Sequence, residues 1–318
     1  MPIAEKVGGK MPTIRVASRR SQLAMTQTRW VMEQLRAAHP DINFEIVPVV
    51  TKGDRVQGVS LSQIGGKGLF VSEIEQTLLD GRADFAVHSL KDVPAELAPG
   101  LTLAAMPRRE DPSDAWISRT GVGLHELPAG SRVGTSSLRR AAQLQELRPD
   151  LLIEPLRGNI DTRLRRLREG DVDAIVLAAA GLVRMRWEAE ITLRLPPNTF
   201  IPAVGQGVLA VECREDDSPL LSLLRLIADA QTEAAATAER AFLARLGGSC
   251  QVPIGAFACP NGDGRWRMVG MVAAASGTPI MRGTAVDADP RRLGIRLAEE
   301  LLARGAGPWL ESGAAVHG

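Results

Sequence analysis

Apolar positions along this chain change rhythm in a regular order. Ile14 to Ala17 is a short apolar run that predicts a strand. Ser21 to His39 then carries Leu23, Met25, Trp30, Val31 and Leu35 near helical spacing. Phe44 to Val50 predicts a second strand, and Leu69 to Leu79 a helix with Glu73 and Glu75 on its wet side. Phe85 to His88 predicts a buried strand. This βαβαβ order implies a parallel sheet covered by helices.

Leu101 to Met106 predicts one more strand, and the polar stretch 110–114 with Pro112 then predicts a crossover. A second alternating unit follows, with strands at Ala115 to Ser118, Ser131 to Val133, Leu151 to Pro155 and Ala174 to Leu177. Helices begin near Ser136 and Asn159. A proline-rich break at 195–198 ends the unit. Ile201 to Cys213 is apolar and predicts a strand that returns to the first sheet. Beyond Pro219 come helices at Pro219 to Ala230 and Thr232 to Leu246. Strands at Gly255 to Ala258, Trp266 to Val272 and Pro279 to Val286 precede a last helix from Pro290 to Arg304. The expected organisation is an extension over 1–11, a first domain from 12–108 and 203–218, a second from 109–202, and a C-terminal α+β domain from 219–318.

The length of 318 residues agrees with two or three domains. A net charge of +1 gives no global reason to expect nucleic acid or a membrane surface. No apolar run approaches the roughly 20 residues that span a bilayer. Met1 to Met11 is polar and does not read as a signal peptide. Cys213, Cys250 and Cys259 are too few and too scattered for a disulfide framework, which points to a reducing, cytoplasmic setting. The four histidines share no metal-ligand spacing, so no metal is expected. Only five of the 38 basic side chains are lysine, and none follows Lys91. Codon bias explains an arginine excess; recognition of planar carboxylates also does. The positions of the arginines discriminate between the two.

Four segments carry candidate chemistry. Segment 87–94, with Ser89, Lys91 and Asp92, sits at the carboxyl end of a predicted parallel strand, where ligands bind in open α/β sheets. The competing reading is a polar loop in which Asp92 caps a turn before Pro94. In 133–140 a strand runs through Thr135, Ser136 and Ser137 into a helix whose first turn holds Arg139 and Arg140. Cations there oppose the helix dipole, and a bound carboxylate or phosphate would supply their reason. The alternative is a serine N-cap with solvated arginines. Segment 156–167 repeats the pattern with Arg157 in the turn and Arg163 in the helix, while Arg165, Arg166 and Arg168 read as a solvated face. Arg19 and Arg184 end further strand connections. Codon bias cannot choose such places, so a cleft for a polyanion is expected. Finally, Cys250 lies in the glycine-rich loop 247–255, an exposed setting that suits a reactive thiolate. No histidine lies near it in sequence.

Taken in order, Arg19 to Ala24, Gly65 to Phe70, His88 to Pro94, Val133 to Arg140, Leu156 to Asn159, Pro202 to Gly207 and the Cys250 loop resemble the porphobilinogen deaminase (hydroxymethylbilane synthase) family. The resemblance runs over essentially the whole chain from about Thr13. It implies two doubly wound, type-II periplasmic-binding-protein-like α/β domains with a cleft between them, plus the small C-terminal α+β domain. It implies a dipyrromethane cofactor joined to Cys250 by a thioether. It also implies a monomeric, cytoplasmic transferase that adds four porphobilinogen units to this primer and releases hydroxymethylbilane for tetrapyrrole and heme synthesis.

By the same resemblance Asp92 is catalytic. Lys91, Ser89, Thr135, Ser136, Ser137, Arg139, Arg140, Arg163 and Arg184 hold the cofactor. Arg19, Ser21, Arg157, Lys67 and Gln206 bind substrate. The loop 65–68 is a candidate lid, and Gln63 stands where some relatives carry lysine. Two other readings compete: a non-catalytic two-lobed binding protein for a polyanion, and a transferase that uses Cys250 as a transient nucleophile.

Overall fold

The computed structural model describes residues 13–55, 71–247, 252–274 and 276–310. By contact density the chain forms two compact units. Among the described residues one comprises 13–55, 71–109 and 208–233, the other 110–207, 234–247, 252–274 and 276–310.

In the first unit β1 (Thr13–Arg19) and β2 (Asn43–Val49) pair in parallel from Thr13↔Asn43 to Arg19↔Val49. The helix Gln22–Ala38 makes the crossover between them. Ser21 starts that helix by accepting a hydrogen bond from the Ala24 N–H on its hydroxyl, satisfying one of the donors that a helix start leaves open. β3 (Phe85–Ser89) lies parallel to β1 on its other side. The alternation along β3 then divides the core. Phe85 and Val87 pack with Val31, Met32 and Leu35 of the long helix. Ala86 packs with Ile74 and Leu78 of the helix Ser72–Leu79 on the opposite face. β4 is Leu101–Ala105.

The wet side expected for Glu73 and Glu75 is not what forms. Glu75 is half-buried, and its carboxylate accepts a hydrogen bond from the Ala98 N–H at 3.1 Å. Burial raises its pKa above the usual carboxylate range, and the carboxylate of Glu212 adds to the shift. Glu73 accepts from the Lys52 N–H at 2.9 Å. Loop N–H groups that need acceptors draw both side chains inward.

The second unit holds a sheet of β5 (Asp114–Ser118), β6 (Arg132–Gly134), β7 (Leu152–Glu154), β8 (Ala174–Ala178) and β9 (Leu193–Leu195), in the order β7-β6-β8-β5-β9. β6 is parallel to β7 and β8, but β5 is antiparallel to β8. β10 (Leu209–Arg214) returns to the first sheet, as the apolar run to Cys213 predicts, giving the order β2-β1-β3-β10-β4. It runs antiparallel to both neighbours. Each sheet is therefore mixed, where the helix–strand alternation predicts parallel strands throughout. The returning or entering strand arrives through a long connection, so no βαβ crossover dictates its direction.

The C-terminal part of the second unit is an antiparallel sheet of β11 (Ile254–Pro260), β12 (Trp266–Ala273) and β13 (Ile280–Asp287). The helices Ala230–Arg245 and Pro290–Leu301 supply Phe242, Leu293, Leu297 and Leu301 to its core. Its other face packs Val269 and Met271 against Ala142 and Ile201. Among the described residues no helix is long and apolar enough to cross a membrane.

Phe85 is fully buried at the centre of the first unit and meets the Phe44 ring edge-on, 6.2 Å between centroids. Phe85→Ala should cost about 3–5 kcal/mol, read as a lower midpoint of urea unfolding. A loss below about 1 kcal/mol would contradict this packing.

Candidate active site

The carboxyl end of β3 opens onto a small pocket in the first unit, of about 60 Å³. Arg19, Ser21, Ser89 and Asp92 line it together with Gln27 and His88. Four residues from two separate sequence motifs thus meet at one sheet edge. The reason is topological: β1 and β3 are parallel neighbours, so the turns after both emerge at the same end. Asp92 is exposed and closes the single 3-10 turn Leu90–Asp92. Lys91 lies in that turn and is half-buried.

Two polar residues escape the sequence motifs: Gln27, which lines this pocket, and Glu212, which partners its His88. Gln27, buried on the long helix, donates from its amide to the Ser89 hydroxyl at 3.1 Å. His88 Nε2 lies 2.8 Å from a carboxylate oxygen of Glu212, with side-chain exposures of 4% and 0%. The second Glu212 oxygen has no hydrogen-bond partner among the described residues. The sequence signals were a glutamine on an apolar helix face and a glutamate inside an apolar strand.

In the second unit the carboxyl ends of β6, β7 and β8 share one edge because the three strands are parallel. Thr135 to Arg140, Arg157 to Arg163 and Arg184 follow those ends. Ser137 caps the helix Leu138–Leu147 by accepting from the Arg140 N–H. Thr135 accepts from the Ser137 N–H at 3.2 Å, and the Ser136 hydroxyl donates to the Leu156 carbonyl at 3.0 Å. The serine N-cap is therefore present, but the arginines after it are not solvated. Arg139 and Arg140 are 5% and 6% exposed.

The carboxylate that faces both of them belongs to the protein. Asp114, fully buried, accepts from Arg139 Nη1 at 2.7 Å on one oxygen. Its other oxygen accepts from Arg140 Nε at 2.9 Å and Nη2 at 2.6 Å, and from the Gln206 amide at 3.0 Å. The arginines also donate to the carbonyls of Ile201 and Val176. Asp114 reaches them because β5 is antiparallel to β8, which brings its first residue to the carboxyl edge of β6 and β8. Two guanidiniums and one carboxylate leave a net positive charge in a buried place. Such a charge calls for a further anion.

The neighbouring segment ties this cluster to the C-terminal sheet. The Gly205 N–H and the Ala258 N–H both donate to the buried Glu239 carboxylate, at 2.7 and 2.9 Å. Gly255, at the start of β11, lies where a Cβ would sit 2.9 Å from the Pro202 carbonyl and 3.0 Å from Arg139 Cδ. Only glycine lets the chain approach so closely. Arg184 donates to the Gly207 carbonyl at 2.7 Å. Burial lowers its pKa to about 10, with Glu110 opposing. Arg163 donates to the Gly158 carbonyl at 2.8 Å, and Arg157 is half-buried in the turn after β7. Arg165, Arg166 and Arg168 form surface pairs with Glu169, Asp171 and Glu190, as a solvated face should. Cys250, Lys67, Gln63 and the loop 65–68 lie outside the described residues. No group of three potential metal ligands occurs among the described residues.

Burial works to raise the Asp114 carboxyl, but the Arg139 and Arg140 charges outweigh it and hold the group well below the usual carboxylate range. A carboxyl depressed in the folded state stabilises fully above its unfolded value, near 3.9, and that contribution is lost as pH falls toward the folded value. Asp114→Asn should therefore cost about 3–5 kcal/mol near neutral pH. Its stability should fall less steeply than that of the unaltered protein below about pH 4. Parallel acid limbs in urea unfolding would contradict the pairing.

With this geometry in place, comparison with known proteins identifies relatives. The family profile "Porphobilinogen deaminase, dipyromethane cofactor binding domain" matches residues 14–222, and "Porphobilinogen deaminase, C-terminal domain" matches 234–303. A porphobilinogen deaminase of Brevibacillus brevis is 55% identical over 293 residues, 92% of this chain and 95% of that one. One of Bacillus subtilis is 52% identical over 297 residues, 93% of this chain and 95% of its own length. Among solved structures, the methionine binding protein MetQ is similar at TM-score 0.44 and 13% identity, over 68% of this chain and 89% of MetQ. The ordered motifs and the sequence identity over nine tenths of the chain lead to one conclusion: this protein belongs to the porphobilinogen deaminase family.

Proposed function

We propose that this chain is a transferase of tetrapyrrole (heme) biosynthesis. It deaminates porphobilinogen, joins four units head-to-tail on a cysteine-linked dipyrromethane, and releases hydroxymethylbilane. The observation that carries this reading is the pocket at the end of β3, where Asp92 stands with Arg19, Ser21 and Ser89. A carboxylate beside an arginine and two hydroxyls suits a substrate that carries acidic side chains and an amine that must leave as ammonia.

Arg19 and Ser21 bind a substrate carboxylate, the first as a fork and the second as a hydroxyl donor. Arg157 and Lys67 are the further substrate-binding residues carried over from the family motifs; Gln206, carried over with them, is fully buried and donates its amide to the Pro112 and Ser113 carbonyls and to Asp114. When the C–N bond breaks, ammonia takes the electron pair and leaves positive charge on the pyrrole methylene. Asp92 is the anion that stabilises this charge. It also accepts the proton that a pyrrole carbon sheds on substitution, and passes it to the departing ammonia or to water.

The residues of the second unit fit the cofactor. The buried Arg139–Arg140–Asp114 cluster keeps one positive charge in excess, and Arg139 lies against the strand that follows the Cys250 loop. Cys250 is the proposed attachment point. Arg139, Arg140, Arg163 and Arg184, with Thr135, Ser136 and Ser137, hold the cofactor's carboxylates, and Lys91 and Ser89 are the further cofactor-binding residues carried over from the family motifs. Bound there, the dipyrromethane supplies the primer end that is extended. Cys213 is not a rival tether, because burial pushes its thiol up to about 12 and keeps it protonated. A cytoplasmic monomer completes the reading.

Intact-mass measurement of the purified protein should give the polypeptide plus two pyrrole units, and Cys250→Ser should remove the increment. An unmodified mass on active protein would overturn the tether. Asp92→Asn should keep the fold by circular dichroism and lose turnover by about a hundredfold or more. Near-normal rates would take Asp92 out of the mechanism.

A further inference from the structure

Asp114 has no role in the substrate chemistry above, yet each of its oxygens is held by an arginine of the candidate cofactor site. One oxygen holds Arg139, and the other holds Arg140 and Gln206. Arg140 grips it with two nitrogens, so the plane of that guanidinium is fixed, not only its distance. Each arginine spends a further N–H on a backbone carbonyl, Ile201 for Arg139 and Val176 for Arg140. All three charged side chains are at least nine-tenths buried. Two long cationic side chains would otherwise be free to swing, and their mutual repulsion in a low-dielectric setting would drive them apart. The segment 201–207 contributes twice more, through the Gln143 amide bonded to Ile201 and through Glu239 bonded to Gly205. The cluster is thus built from β5, the helix Leu138–Leu147, β8 and the 201–207 turn, and Arg139 rests on Gly255 of β11.

We propose that Asp114 is a positioning residue for cofactor loading: it cancels one of two guanidinium charges and fixes both forks, so that the site keeps one net positive charge in a set orientation for one cofactor carboxylate. This rests on the reading that Cys250 carries a dipyrromethane. A pure attraction between opposite charges makes the contrary prediction. Removing Asp114 raises the buried charge by one unit, which would strengthen the pull on an anion. Fixed orientation predicts loss.

The test compares unaltered protein, Asp114→Asn, Asp114→Glu and Leu144→Ala, purified in parallel. Leu144 is fully buried on the same helix, so its truncation destabilises that helix without touching the ion cluster. Intact mass gives the fraction carrying two extra pyrrole units, and urea unfolding gives stability. The expected result is a loaded unaltered protein, at least a tenfold lower loaded fraction in Asp114→Asn, a partial deficit in Asp114→Glu, and normal loading in Leu144→Ala. Normal or higher loading of Asp114→Asn overturns the proposal. Equal loss in Leu144→Ala also overturns it, because loading would then follow stability alone. If Asp114→Asn yields no folded protein, Asp114→Glu decides: charge is unchanged but the carboxylate is displaced by one methylene, and full loading overturns the proposal. An unmodified mass in the unaltered protein removes the cofactor reading itself, and this inference with it.

Discussion

Two guanidiniums sharing one buried carboxylate are the constraint on which the second unit turns. Desolvating three charges is expensive, and the arrangement is tolerable only because nearly every lone pair of Asp114 is met by a donor. The demand propagates outward. Arg139 and Arg140 must leave the first turn of their helix pointing inward. The 201–207 turn must present Gln206 and the Ile201 carbonyl. Residue 255 must lack a side chain so that β11 can lie against Arg139. A buried pair of this kind is weak evidence for stability but strong evidence for a specified geometry.

The first unit solves a different problem. Its pocket forms where parallel strands β1 and β3 end together, and its charged groups are more open to solvent. The apolar interior behind the pocket contains a buried polar pair, His88 with Glu212. Glu75 lies close enough to feel Glu212 electrostatically. The two units therefore differ in how they hold polar groups: one keeps a carboxylate exposed at a strand end, the other buries cations behind a carboxylate.

Much of the candidate site was legible in the sequence because it lies at strand–helix junctions. There the local pattern fixes both the element and the end at which a residue sits. Arg19, Ser89, Asp92, Ser137, Arg139 and Arg157 all fall at such junctions, and the structure puts them there. The glutamates of the helix Ser72–Leu79 were misplaced because periodicity reports which face is wet on average. It cannot report that the Ala98 N–H arrives from a distant loop. Gln27 and Glu212 were missed for a related reason: a polar residue inside an apolar run looks like an exception until its partner is seen.

By itself the sequence determined the order of elements, the return of the chain to its first sheet, the motifs that mark the family and the residue types of a polyanion site. These depend on short-range periodicity and on the chemistry of side chains, both written locally. Strand direction was decided only in three dimensions. Helix–strand alternation favours parallel pairing, but β5 and β10 enter through long connections and run the other way. That reversal carries Asp114 to the edge where Arg139 and Arg140 emerge. In sequence the two arginines were cations opposed to a helix dipole and in want of an anion. In the fold one anion is supplied by a residue 25 positions away from Arg139, and one of the two guanidinium charges stays uncancelled by it.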